Sequence, residues 1–141
     1  MGVMNRFVEL DSTGAVLQKP QAVIARLEPA RGLMWGPTLP EQLAWEAGKK
    51  ACAEFRLFGF TDWRMPTVEE LFLLPDRTRF NPAIDTDAFP DTKPEAYWTS
   101  TPDPSSPESF AFFVLFGNGN SSIYAQYGRL WVRPVRSVVL P

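Results

Sequence analysis

Apolar and polar positions along this chain change period several times, and each change predicts an element. Residues 5–10 and 15–18 flank Asp11-Ser12-Thr13-Gly14, a run of turn formers, so the chain is expected to open with a short hairpin. Val23 to Leu27 and Leu33 to Trp35 read as two further strands, divided by Glu28-Pro29-Ala30-Arg31-Gly32, where Pro and Gly interrupt the pattern. Thr38 and Glu41 then form a Thr-x-x-Glu capping box with Pro40 in the first turn, where its missing N–H costs nothing. A helix is expected from there. Ala44, Ala47, Gly48, Ala51, Phe55 and Phe58 recur at three- and four-residue spacing on one face, with Glu41, Lys49, Lys50 and Glu54 mostly on the other. The small residues of that stripe suit close packing on a sheet.

A second capping box, Thr67 to Glu70, follows Pro66 and predicts a shorter helix whose Leu71, Leu73 and Leu74 run into Pro75. From Pro75 to Glu95 no period survives, which marks a long irregular loop. Tyr97 to Ser100 is strand-like, Thr101 to Pro107 is a loop, and Phe110 to Phe116 is a continuous apolar run suited to a central strand. Gly117-Asn118-Gly119-Asn120 is a turn signal leading to a strand over Ser122–Tyr127, and Leu130 to Val135 makes a final strand. Both chain ends are strand-like and are expected to pair. The order predicts one α+β domain over residues 1–141, with two helices packed on a mostly antiparallel sheet and a long irregular loop. Trp35, Trp63, Trp98, Phe112, Val114 and Trp131 are the expected core.

Composition narrows the function classes. Fourteen Lys and Arg against sixteen Asp and Glu are interspersed, so no basic stripe offers a nucleic-acid footprint and no nucleic-acid partner is expected. The first residues lack the apolar core of a signal peptide and no segment has the pattern of a membrane span, so the expectation is a cytoplasmic or virion-associated protein without a membrane partner. There is no histidine, which removes the commonest general base and metal ligand, and Cys52 has no second cysteine to pair with. Neither a cofactor nor a metal is expected.

Several phrases occur in one order along the chain: Gly32-Leu33-Met34-Trp35, Trp45 on the helix, Gly59-Phe60-Thr61-Asp62-Trp63-Arg64-Met65-Pro66-Thr67, Phe89-Pro90, Tyr97-Trp98-Thr99-Ser100-Thr101, Phe116-Gly117 and Val132-Arg133-Pro134-Val135-Arg136. Together, over roughly residues 7 to 137, they resemble the C-terminal domain family of the Legionella collagen-like adhesin, a domain of unknown function in bacteria and their phages. The resemblance implies a C-type-lectin-like fold, similar at a distance to the core of formylglycine-generating enzymes. Relatives often carry a cysteine where this chain has Pro134, and many are exported; both departures favour a cytosolic, prophage or virion setting.

Each chemistry-bearing phrase has a structural reading beside a functional one. Asp62-Trp63-Arg64 looks like an active-site phrase, but Trp63 suits a core and Arg64 suits a structural carboxylate partner, as do Arg133 and Arg136. Cys52 falls on the helix stripe as a packed thiol, and Glu69-Glu70 sits in a first helical turn where the dipole favours acids. Asp76, Asp85, Asp87 and Asp91 invite a calcium site but match no calcium-loop spacing, so they read as a solvated acidic loop. The late hairpin is the best recognition surface. Alternation puts Ser122, Tyr124 and Gln126 on one face and Ile123, Ala125 and Tyr127 on the other, so Asn118, Asn120, Tyr124 and Tyr127 are the candidate ligand-binding residues. The resulting expectation is a non-enzymatic module for a protein or glycan partner. The alternatives are an enzyme of the formylglycine-generating lineage with changed chemistry, or a structural particle component that assembles as a homo-oligomer.

Overall fold

A computed structural model describes residues 6–16 and 23–139. The chain is α+β, with two helices and two antiparallel sheets rather than the one sheet expected. In the first sheet the strands run in the order β1 (Val8–Leu10), β2 (Ala25–Glu28), β3 (Leu33–Trp35), β7 (Val135–Ser137). In the second, β4 (Ala96–Pro102), β5 (Phe110–Leu115) and β6 (Ser121–Ala125) lie side by side, with the apolar run of β5 in the middle as its pattern predicts. The opening turn forms, with Asp11 Oδ1 accepting from the Thr13 backbone N–H at 2.8 Å and Leu10 bridging Val16. The remainder of the predicted second arm lies outside the described residues.

Between β2 and β3 the chain makes one 3-10 turn over Pro29–Arg31 and reverses at Gly32, whose φ of 63° is the left-handed conformation that glycine adopts without cost. β3 is buried at all three positions because it is flanked by β2 and β7 and covered on both faces. Among the described residues the two end strands share this sheet without pairing with each other, since β7 joins β3 while β1 joins β2.

The helix α1 (Trp45–Glu54) starts later than its expected capping box, with Ala44 as an N-cap that makes no side-chain bond. Tertiary pairing overrides the local signal: Leu39 N–H donates to Val132 C=O at 2.9 Å, and Leu43 and Leu130 exchange bonds in both directions, which holds residues 39–43 out of a helix, with a bend at 40–41. Thr38 is taken by Asp91, to whose carboxylate its backbone N–H donates at 2.7 Å. The buried face of α1 is Trp45, Gly48 and Cys52, whereas Ala47, placed on the stripe by its spacing, is exposed. The helix α2 (Val68–Phe72) has the complete capping box, with Thr67 Oγ1 accepting from Glu70 N–H and Glu70 Oε1 accepting from Thr67 N–H.

The core forms three adjoining clusters. Trp35, Leu71, Ile84, Phe89, Tyr97 and Val114 fill one; Trp45, Cys52, Met65, Trp98 and Val132 fill the second; Leu10, Ala25, Met34 and Trp63 fill the third. Phe112 and Trp131, expected inside, are half-buried: Phe112 pairs with Ile123 of the edge strand, and Trp131 turns its N–H to Glu95. The predicted strand Leu130–Val135 is broken. Leu130 and Trp131 make single bridges to Leu43 and Tyr97, and regular pairing resumes only at Val135. The irregular segment from Pro75 to Glu95 is anchored by Ala83, Ile84, Ala88 and Phe89, all buried. Among the described residues no helix is long and apolar enough to cross a membrane.

Candidate functional site

The late hairpin is a turn fixed from beneath. Gly119 has φ of 87°, and an added Cβ would lie 3.0 Å from Arg77 Nε, so this position needs glycine on both conformational and steric grounds. Arg77 Nη2 donates to Gly119 C=O at 2.7 Å and to Phe72 C=O at 2.8 Å, tying the turn to the end of α2. Asn118 Oδ1 accepts from Asn120 N–H at 3.0 Å, and both side chains are exposed.

β6 covers Ser121–Ala125 rather than the expected Ser122–Tyr127, and the expected alternation holds only up to Ala125, the chain turning at Gln126 and Tyr127. Ile123 stands opposite Phe112 on one face and Tyr124 opposite Ala111 on the other, and both are partly exposed. Tyr124 leans toward Trp98 and Phe113, with ring centroids 6.3 Å away in each case. A Cβ at position 128 would come within 2.2 Å of its ring, so Gly128 is what lets Tyr124 lie down there. Beyond the strand, Gln126 donates to Pro107 C=O at 2.9 Å and Phe110 C=O at 3.0 Å, while its own C=O accepts from Trp45 N–H at 2.9 Å. Tyr127 projects from this fixed corner with 87% exposure. The structure does not gather the four candidates at one point. Asn118 and Asn120 lie at one end of β6 and Tyr127 at the other, separated by about 16 Å of strand at ~3.3 Å per residue.

The charged phrases have a different character, because they bond to each other. Arg64 makes a bidentate pair with Glu70 at 2.7 and 2.8 Å and reaches Ser137 Oγ at 3.1 Å. Burial opposes the Glu70 charge, but the Arg64 bonds and the Thr67 backbone outweigh it and hold its carboxyl below the usual range. Arg136 pairs with Asp62 at 2.7 and 3.1 Å and covers the Phe60 ring at 3.5 Å. Glu28, at 1% exposure, accepts from Arg6, Arg31 and the Trp35 indole.

The deepest group is Arg26 with Arg133. Both donate to Gly36 C=O, at 2.6 and 2.8 Å, and both guanidinium carbons lie over Phe89, at 4.6 and 5.0 Å. Asp91 accepts from Arg133 at 3.0 Å and faces Arg26 Nη2 at 3.6 Å. Burial works against ionisation of Asp91, yet the charges of Arg133 and Arg26 hold its carboxyl below the ordinary range. The remaining loop acids act locally: Asp76 accepts from Thr78 and pairs with Arg79, and Asp85 caps Asp87 and Ala88. Among the described residues no three His, Cys, Asp or Glu side chains converge as metal ligands.

With the two sheets and their clamps in view, residues 27–136 match the family described as the Lcl C-terminal domain. The chain belongs to this family. The match runs from within β2 to within β7, so it takes in α1, α2, the whole second sheet and every arginine of the clamps just described except Arg6 of the Glu28 group and Arg26, which stands one residue before it. No curated protein matches the chain.

One feature of this Lcl C-terminal domain was not legible in its sequence. Thr38, Leu39, Pro40, Asp91, Lys93 and Trp131 line a hollow of about 210 Å³. Its residues come from three distant segments, brought together because Asp91 bonds Thr38 and because Trp131 bridges Tyr97. The half-burial of Trp131 in an otherwise apolar phrase is the one sign of it, and that sign is structural.

Proposed function

We propose that this Lcl C-terminal domain is a non-enzymatic recognition module of C-type-lectin-like fold that grips a protein or glycan partner through the surface from Asn118 to Tyr127. The observation that carries the reading is Tyr124 and Tyr127, 48% and 87% exposed, on a hairpin fixed at both ends. Tyrosine offers large amphipathic contact area at small conformational-entropy cost, and a fixed backbone lowers the ordering cost further. The span of about 16 Å across the four residues fits within the ~800 Å² that one partner contributes to an ordinary protein interface, and exceeds a single sugar ring. An extended partner, either a protein or a glycan chain, is therefore favoured over a small ligand.

The absence of turnover is part of the same proposal. Cys52 is buried and its thiol is pushed up to about 12 by desolvation, so it carries no thiolate near neutral pH. The chain supplies no histidine to activate it. A reducing or virion setting suits a protein whose single cysteine is packed inside. The test is capture from an extract of the natural host and on an array of glycan chains, using wild type, Tyr124→Ala and Tyr127→Ala, with and without chelator. Loss of capture in the tyrosine variants with indifference to chelator supports the proposal. Capture that survives both variants, or that depends on a divalent cation, moves the site elsewhere.

A further inference from the structure

The outer edge of β6 is open, and it differs from every other outer edge among the described strands. β4 is covered along its far side, where Trp98 N–H donates to Trp131 C=O at 2.9 Å, Trp131 N–H to Ala96 C=O at 3.1 Å, and Ser100 N–H to Pro66 C=O at 2.8 Å. β7 exchanges two bonds of 2.8 Å with Arg64. β1 is three residues long, carries Glu9, and has Leu10 bridged to Val16. β6 has neither cover nor charge.

The register says which groups the edge presents. Leu115 N–H donates to Asn120 C=O at 2.7 Å and Gln126 N–H to Ser109 C=O at 2.9 Å, so the even-numbered residues of β6 bond toward β5. Ser121, Ile123 and Ala125 then aim their N–H and C=O groups outward. Of these, Ala125 C=O accepts from Gly128 N–H at 2.9 Å, and no described residue pairs with the outward groups of Ser121 or Ile123. Edges of this kind are ordinarily blunted by lysine, proline or a bulge. Here the strand lies in the longest uncharged stretch of the chain, the 20 residues from Ser109 to Gly128, although Asp, Glu, Lys and Arg make up 21% of the whole.

We propose that β6 pairs antiparallel with β6 of a second copy of this chain, joining two three-stranded sheets into one. Charge complementarity selects that occupant, because a neutral edge gives an acidic or basic segment no counter-charge and meets its own copy without repulsion. Side-chain size selects the register. Centring the two-fold on Ile123 sets Ile123 against its twin, Ser121 against Ala125, and Tyr124 against the small Ser122, so large faces small on one side and, on the other, Ile123 meets Ile123 between pairs of small residues. The proposal rests on the strand edge, which the recognition reading leaves unassigned, and the two share only the Tyr124 side chain.

The test is the mass of the full chain in solution, by sedimentation over a range of concentrations. Wild type is expected to move from the mass of one chain to that of two as concentration rises. Ile123→Pro removes an N–H that points away from β5, so it costs the protomer no ladder bond and is expected to stay at one chain with unchanged far-ultraviolet circular dichroism. Ile123→Lys and Ile123→Glu place like charges across the two-fold, and each alone is expected at one chain, while their mixture returns to two. This pair decides the matter should the proline variant fail to fold. Wild type that stays at one chain throughout overturns the proposal, as does a folded Ile123→Pro that still doubles, or a Lys and Glu mixture that does not. Loss of partner capture in Tyr127→Ala, whose side chain lies outside the paired strand, with doubling intact separates the two readings.

Discussion

The first sheet and the β5–β6 hairpin use polar groups in opposite ways. Around the first sheet, Arg26, Arg133, Arg136 and Arg31 are buried or half-buried and each donates to a carboxylate or a carbonyl of this same chain, while buried Glu28 accepts from Arg6, Arg31 and Trp35. In the hairpin, Asn118, Asn120 and Tyr127 point outward, and the edge of β6 keeps backbone groups open. A charge turned inward and satisfied has little left to offer a partner, whereas a neutral surface on a fixed backbone has its bonding capacity still to use. The arginine-rich phrases that look most like chemistry are thus bonded within the chain, and the plain-looking hairpin is the surface we propose for contact.

Breaking the first half of that comparison should have the largest effect. Arg133→Ala leaves Asp91 with the Thr38 N–H and the more distant charge of Arg26 at 3.6 Å, and strips Gly36 C=O of one donor. The expected cost is on the order of 3 kcal/mol, or a fall in Tm of roughly 10 °C, read by thermal denaturation. Acid should act on the same side. Asp91, Glu28 and Glu70 are all held below their ordinary range, so their stabilisation is fully present above about pH 4.5, where the unfolded carboxylates are ionised, and is lost as pH falls through the folded values. A Tm that declines on acidification below about pH 4, with the decline shallower in Asp91→Asn, is the expected result.

Arg64→Ala is a smaller break. Its side chain is 38% exposed, so solvent screens the pair with Glu70, and the expected loss is about 1 kcal/mol. Thr67→Ala, which removes the N-cap of α2, should cost about as much. Retained melting with lost partner capture in Arg64→Ala would move Arg64 from architecture to contact.

Much of this layout was legible because the signals were local. The Thr67 capping box, the apolar run of β5, the Gly119 turn and the two strands before Trp35 depend on residues within a few positions of one another. The failures came where distant pairing overrode a local cue. Thr38 and Glu41 spell a capping box, yet Asp91 and Val132 hold that stretch out of a helix, and Leu130 to Val135 reads as one strand but serves three neighbours in turn. Among the candidate residues, alternation leads to the expectation that at least one of Tyr124 and Tyr127 is exposed; both are, because β6 ends at Ala125 and Tyr127 lies in the turn beyond it. Their distance from Asn118 follows only once β6 is built, and the neighbourhood of Trp131 and Asp91 only once the sheets are docked.

The smallest expected effect on stability belongs to the hairpin. Tyr127→Ala removes a side chain that is 87% exposed and should change stability by no more than about 0.5 kcal/mol. The most direct test of the central claim crosses the two halves: Tm and partner capture measured side by side in a Tyr124→Ala/Tyr127→Ala double variant and in Arg64→Ala. The account predicts that the double variant keeps nearly all of its Tm and loses capture, while Arg64→Ala loses Tm and, below its melting point, captures as wild type does. The reverse pattern, with capture lost in Arg64→Ala and kept in the double variant, would contradict it.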